Sequence, residues 1–227
     1  MKKLLCLSLF ALSSAWAWNP SLDANLTETL IDSAFGRGDA IDSVLTIDLS
    51  TKDNVTRPGL VTLMRGDPSC ITRWTQDIDQ NFPATRPIQL TVGGQADLVY
   101  LLALDARDRF EVPSAEGLLA EAQKVLPANN LRIYTKMTGL ASEKQREAYT
   151  VGLNIAGDKP LRPYKTNYLP DWKKGANQLW GGTMVYYFDL TNKAVNAKGT
   201  LPFIFQTGVK ADQACVYQIN IDLSKFF

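Results

Sequence analysis

The chain has 227 residues, of which 45 % are hydrophobic, with 24 basic residues against 23 acidic, so it can bury a core as one domain or as two small ones. A near-neutral charge excludes bulk attraction to nucleic acid or anionic lipid, and no nucleic-acid partner is expected. The absence of histidine removes Ser-His-Asp and Cys-His catalysis, histidine-based metal sites and the ordinary pH switch near neutrality.

Lys2 and Lys3 precede a short apolar run from Leu4 to Leu12, and Ala15-Trp16-Ala17 fits the pattern that signal peptidase cleaves. The run is far shorter than the ~20 residues of a spanning helix. Residues 1–17 are therefore expected to be a cleavable signal peptide, with Trp18 first in the mature chain. The protein is expected to be exported to a periplasm, an outer envelope or the extracellular space. Losing Lys2 and Lys3 leaves 22 basic residues against 23 acidic. No later run is long and apolar enough to form a transmembrane helix. Cys6 lies inside the apolar run and leaves with the leader, so no lipid anchor is expected.

Two cysteines remain, Cys70 and Cys215. In an oxidising compartment an isolated pair is expected to form a disulfide. A loop as long as theirs gives about 5 kcal/mol by chain entropy, as an upper figure.

In chain order, Leu22, Leu26, Leu30, Ile31 and Ala34 recur at helical spacing, with Ser21 or Asp23 as cap and Gly36 as terminator. Val44 to Leu49 reads as a strand with Leu45, Ile47 and Leu49 on one face. Gly59 to Met64 and Cys70 to Trp74 flank turn residues and predict a hairpin. Arg65-Gly66-Asp67 within it matches an integrin-binding tripeptide, but a turn accounts for the same residues. Pro87 to Val92 and Leu98 to Leu104 predict a second strand pair, joined through Gly93-Gly94-Gln95. A helix follows: Ser114 caps it, Leu118, Leu119, Ala122, Val125 and Leu126 form its apolar face, and Pro127 stops it. Pro127 to Asn130 is the one candidate boundary within an otherwise single β-rich domain over 18–227. Leu131 to Thr138 and Ala148 to Ile155 are expected to pair across the polar stretch 142–147. Three late strands are expected at Thr183 to Leu190, Leu201 to Thr207 and Cys215 to Leu223. Many short strands with one or two short helices predict a mainly β, antiparallel, sandwich-like fold.

The last strand alternates Tyr217, Ile219, Ile221 and Leu223, and Phe227 is terminal. This stretch resembles the closing strand of bacterial outer-membrane β-barrels, which ends in an aromatic residue after alternating hydrophobics. The resemblance implies a membrane barrel, but it is confined to this stretch and Lys225 breaks its pattern. Barrels also need many strands of about ten residues with apolar-out alternation, which the helix after Ser114 and the proline-rich stretch below do not fit.

Carboxylate chemistry is the catalytic option left. Asp77 and Asp79 share one strand face, and Asp105, Asp108 and Glu111 crowd a turn. A glycosidase needs two carboxylates across a cleft. Either group has oxygen ligands that could hold calcium, though neither has EF-hand spacing; no phosphate-cradling glycine loop is present, and no metal site or cofactor is assigned.

Lys159 to Gly182 concentrates Arg162, Tyr164, Lys165, Tyr168, Trp172, Lys173, Lys174 and Trp180. Pro160, Pro163 and Pro170 are expected to keep it a stiff irregular loop. Tyr, Trp and Arg dominate binding hot spots, so these eight residues are the candidate binding surface. The expected function is a non-catalytic binding or structural protein of a bacterial cell envelope, contacting another envelope protein or a surface polymer. A small secreted or periplasmic glycan hydrolase using paired carboxylates is the alternative.

Overall fold

Two antiparallel sheets packed face to face form the body of the protein, in a computed structural model that describes residues 17–50, 59–75, 86–155, 159–175, 178–207 and 214–227. The expected leader therefore lies outside the described residues apart from Ala17, as do Asp77 and Asp79.

The elements run α1 (Ala24–Ala34), β1 (Val44–Asp48), β2 (Val61–Arg65), α2 (Ser69–Thr75), β3 (Arg86–Gly93), α3 (Gln95–Asp108), α4 (Ala115–Val125), β4 (Asn130–Leu140), β5 (Thr150–Leu153), β6 (Lys165–Tyr168), β7 (Lys173–Lys174), β8 (Trp180–Asp189), β9 (Thr200–Gln206) and β10 (Val216–Asp222). The six-stranded sheet has the order β1-β3-β4-β8-β6, with β7 also on β8, and the four-stranded sheet has the order β2-β10-β9-β5. Period-2 alternation supplies both inner faces. Leu131, Ile133, Met184, Tyr186 and Phe188 from one sheet meet Phe203, Phe205, Tyr217, Ile219 and Ile221 from the other in one apolar core. The other face of the six-stranded sheet is covered by α1, α3 and α4, where Leu30, Ala96, Val99 and Ala122 pack on Val185 and Tyr187. The architecture is thus a mainly β sandwich with a helical layer on one side.

The capping expectations hold. Asp23 accepts from the Leu26 amide at 2.8 Å and Ser114 from the Gly117 amide at 3.1 Å. Ser114→Ala is expected to cost about 1 kcal/mol, the usual worth of an N-cap, as read by chemical denaturation. Val125, expected on the apolar face of α4, is exposed, because the face that packs runs through Leu118 and Ala122 to Leu126.

Three local expectations are corrected. Residues 98–104 are not a strand but the middle of α3. Its buried residues Ala96, Val99, Ala103 and Ala106 follow helical spacing, while Leu101 is half exposed. An almost unbroken apolar run satisfies either period, and its 14-residue length decides for helix. Residues 70–74 are likewise helical. The Asp67 carboxylate accepts from the Ser69 amide at 2.8 Å, and Cys70 and Trp74, four apart on one helical face, are both buried. Asp67 of the Arg-Gly-Asp tripeptide thus serves to start α2. Finally, β4 and β5 do not pair: β4 lies between β3 and β8, and β5 pairs β9 in the other sheet. The polar stretch carries a 3-10 turn over Glu143–Ala148 and passes between sheets. Alternation identifies the buried face of a strand but not its partner.

Cys70 and Cys215 are bridged, with Cα atoms 5.8 Å apart and a sequence separation of 145. The bridge ties α2 to the start of β10. Trp18, the first residue after the expected cleavage point, is buried, and its amide donates to the Leu223 carbonyl at 2.9 Å. β10 lies inside the four-stranded sheet with Ile219, Ile221 and Leu223 facing the core, and Phe226 and Phe227 are buried too. The closing stretch that resembles a barrel strand is thus part of the packed sandwich. No helix among the described residues is long and apolar enough to cross a membrane.

Candidate functional site

The segment that concentrates cationic and aromatic residues is not an irregular loop. It is divided between the edges of both sheets. Leu161 bridges Leu153 at the edge of the four-stranded sheet, which places Lys159 and Arg162 there. From Tyr164 onward the chain joins the six-stranded sheet. The Tyr164 amide donates to the Tyr187 carbonyl at 2.9 Å, β6 pairs residues 184–187 of β8, and β7 pairs Trp180 and Gly181. The prolines sit between these short pairings, where no ladder hydrogen bond is required of them. Asp171 fixes the turn between β6 and β7. Its carboxylate accepts from the Thr183 amide at 2.9 Å and the Thr183 hydroxyl at 2.6 Å.

The eight candidate residues therefore separate by role. Tyr164, Lys165, Tyr168, Lys173 and Lys174 are exposed along the β6–β7 edge. Trp172 and Trp180 are half-buried against the main core. The Trp172 indole occupies the space above Gly182 where any Cβ would sit, so glycine at that position lets the ring lie on β8. Arg162 stands exposed on the other sheet and does not join this group.

One contributor comes from elsewhere. Arg146, on the 3-10 turn, stacks its guanidinium 4.1 Å from the Tyr168 ring centre and 5.2 Å from that of Trp172, and it is ion-paired with Glu143. Lys165 holds its ammonium 5.0 Å from the ring of Tyr187. Such contacts are worth about 0.5–1 kcal/mol each at exposed sites and hold the edge side chains in place. Partial burial raises the Tyr168 hydroxyl above its ordinary pKa against the pull of Arg146, and burial raises that of Tyr164. Nothing in the local pattern around Arg146 signals its role, because the aromatics it joins, Tyr168 on β6 and Trp172 just before β7, follow only later in the chain.

The carboxylates named in the sequence do not face one another across a cleft where they are described. Asp105 and Glu111 both pair with Arg109, at 3.2 and 3.1 Å, and Asp108 pairs with Arg107 at 3.0 Å, with all three acids more than half exposed. Among the described residues no three acidic or cysteine side chains gather as cation ligands.

A buried charged pair lies under the helical layer. Asp97, in the first turn of α3, accepts from Arg132 Nε of β4 at 3.2 Å and pairs with its terminal nitrogen, both side chains less than a tenth exposed. Burial raises Asp97 above the ordinary carboxylate pKa against the opposing pull of Arg132. Its place between helix and sheet marks a structural tie.

Comparison with protein-family models, with curated proteins and with solved structures finds no match.

Proposed function

We propose that this chain is an exported, non-catalytic binding protein of a bacterial cell envelope, matured by removal of residues 1–17, and that it holds another envelope protein at the β6–β7 edge. The observation that carries the proposal is the exposure of Tyr164, Lys165, Tyr168, Lys173 and Lys174 on backbone that is already fixed by pairing with β8. A surface ordered before its partner arrives loses little entropy on binding. The tyrosines bring large, rigid contact area. The lysines favour an acidic partner patch and make association salt-dependent. Asp171, the one acid of this edge segment, is occupied with Thr183.

Affinity capture from envelope extract tests this. The wild-type protein is expected to retain a partner. Lys165→Ala, Lys173→Ala and Lys174→Ala combined should mainly slow association and flatten its salt dependence. Tyr168→Ala should weaken binding by roughly 2 kcal/mol, as hot-spot truncations do. Recovery of the wild type only as an unassociated species would contradict the proposal. No described carboxylate pair favours the glycan-hydrolase alternative.

A further inference from the structure

The four-stranded sheet turns its second face away from the core, and that face is not a plain solvated surface. Strand register sets two rows of cross-strand neighbours on it. One is Gly152, Ile204, Gln218 and Thr62; the next is Thr150, Gln206, Val216 and Arg65. Ile204 and Val216 are apolar, yet only 7 % and 9 % exposed. They form the floor of a groove of about 750 Å³, within the ~300–1,000 Å³ typical of small-ligand sites.

The wall beside β5 is built by the chain that follows it. Leu153 and Leu161 exchange backbone hydrogen bonds of 2.9 and 2.8 Å. This lays Pro160 over Gly152, where a Cβ would come within 2.8 Å of the proline ring, so glycine there admits the wall. Lys159 and Arg162 stand exposed on it, and Arg65 stands exposed at the opposite rim on β2. Four interstrand steps, about 19 Å in all, separate Arg65 on β2 from the segment paired beyond β5. Among the described residues no carboxylate lines the groove, and none is ion-paired with any of the three cations. Between the rims, Thr150, Asn154 and Gln206 offer neutral donors and acceptors.

We propose that this groove binds a carboxylated oligosaccharide lying across the strands, with acid groups toward Arg65 at one rim and toward Lys159 and Arg162 at the other. The cations hold its carboxylates by charge-assisted hydrogen bonds. The side-chain amides and hydroxyl meet sugar hydroxyls, and Ile204 and Val216 take the C–H faces of the rings. An acidic peptide fits less well, because the strand backbones beneath it are already paired and offer its own amides no partners. The groove lies on the other sheet from the β6–β7 edge, and the proposal does not depend on the edge.

Titration calorimetry of the mature, oxidised protein tests it, with tetragalacturonate as the probe and maltotetraose and tetraglutamate as comparisons. Tetragalacturonate should bind, more weakly as salt is added. Maltotetraose should not bind at the same concentration, and tetraglutamate should bind less tightly. Arg65→Gln and Arg162→Gln should each weaken tetragalacturonate roughly tenfold, as loss of a hydrogen bond to a charged group does. Lys173→Ala with Lys174→Ala should leave that affinity unchanged while altering partner capture, so the two proposals fail separately. Absent binding of tetragalacturonate, equal binding of maltotetraose, tighter binding of tetraglutamate, or indifference to both arginine substitutions would each overturn it.

Discussion

Replacing both bridged cysteines, Cys70→Ser with Cys215→Ser, is expected to lower unfolding free energy by about 2–5 kcal/mol. The bridge closes a loop of 145 residues, for which chain entropy alone gives about 5 kcal/mol, and native strain or residual unfolded structure subtracts from that. It also holds α2 against the core. Trp74 is buried between Tyr217 and Phe205, with ring centres 4.4 and 6.4 Å away, and the Tyr217 hydroxyl donates to the Cys70 carbonyl at 2.8 Å. Denaturant titration of the oxidised, reduced and double-serine forms checks this. The reduced wild type should resemble the serine variant, since both lose the covalent tie and keep the aromatic packing. A serine variant within about 0.5 kcal/mol of wild type, the range of ordinary surface substitutions, would show that the bridge does not constrain the unfolded chain as described.

Asp97→Ala is expected to destabilise the protein by about 3–5 kcal/mol, because it leaves the buried Arg132 guanidinium without its counter-charge. Asp97→Leu combined with Arg132→Met should recover most of that loss. Removing a buried pair together avoids the desolvation of both charges. The pH dependence has a definite sign. Folding raises the Asp97 pKa above its ordinary 3.8, so in the window between the two values the native state binds the proton more readily than the unfolded chain. This group's contribution therefore favours the native state increasingly as pH falls through that window, and is lost as pH rises above the native value. Stability curves of wild type and double variant should diverge in that direction on acidification. Equal losses in the single and double variants would show that packing, and not the unpaired charge, sets the cost.

The elements legible in the sequence are those in which two signals agree. In α1 and α4 a side-chain cap stands before an amphipathic repeat, and both helices begin where Asp23 and Ser114 place them. In β10 the alternation of Tyr217, Ile219 and Ile221 marks the buried face directly. The cysteine pair was legible from count and the expected compartment, although nothing local to Cys70 revealed that its flanking residues are helical. The α3 segment carries apolar residues too densely to display a period, and α2 is only seven residues long, too short to display one, so in both tertiary packing decides between helix and strand. Strand partnership is a property of the assembled sheets, which is why β4 and β5 read as a hairpin.

The candidate sites follow the same division. Composition alone draws attention to the stretch from Lys159 to Gly182. That stretch serves two sheets, and the exposed tyrosines and lysines separate from the inward-leaning tryptophans only once Gly182 and Arg146 are in place. The groove was illegible because Arg65 and Val216 become neighbours only through the register of β2 with β10, and an outward apolar residue looks like any other surface position in sequence.

Every functional proposal above presupposes that the chain works outside a reducing cytoplasm. Intact-mass and N-terminal analysis of the protein recovered from cells that make it, before and after reduction, tests that presupposition most directly. The account predicts a chain beginning at Trp18, with a mass two hydrogens below that of its reduced form, from the bridge between Cys70 and Cys215. A chain that retains residues 1–17 and carries three freely alkylatable thiols, Cys6 included, would contradict it.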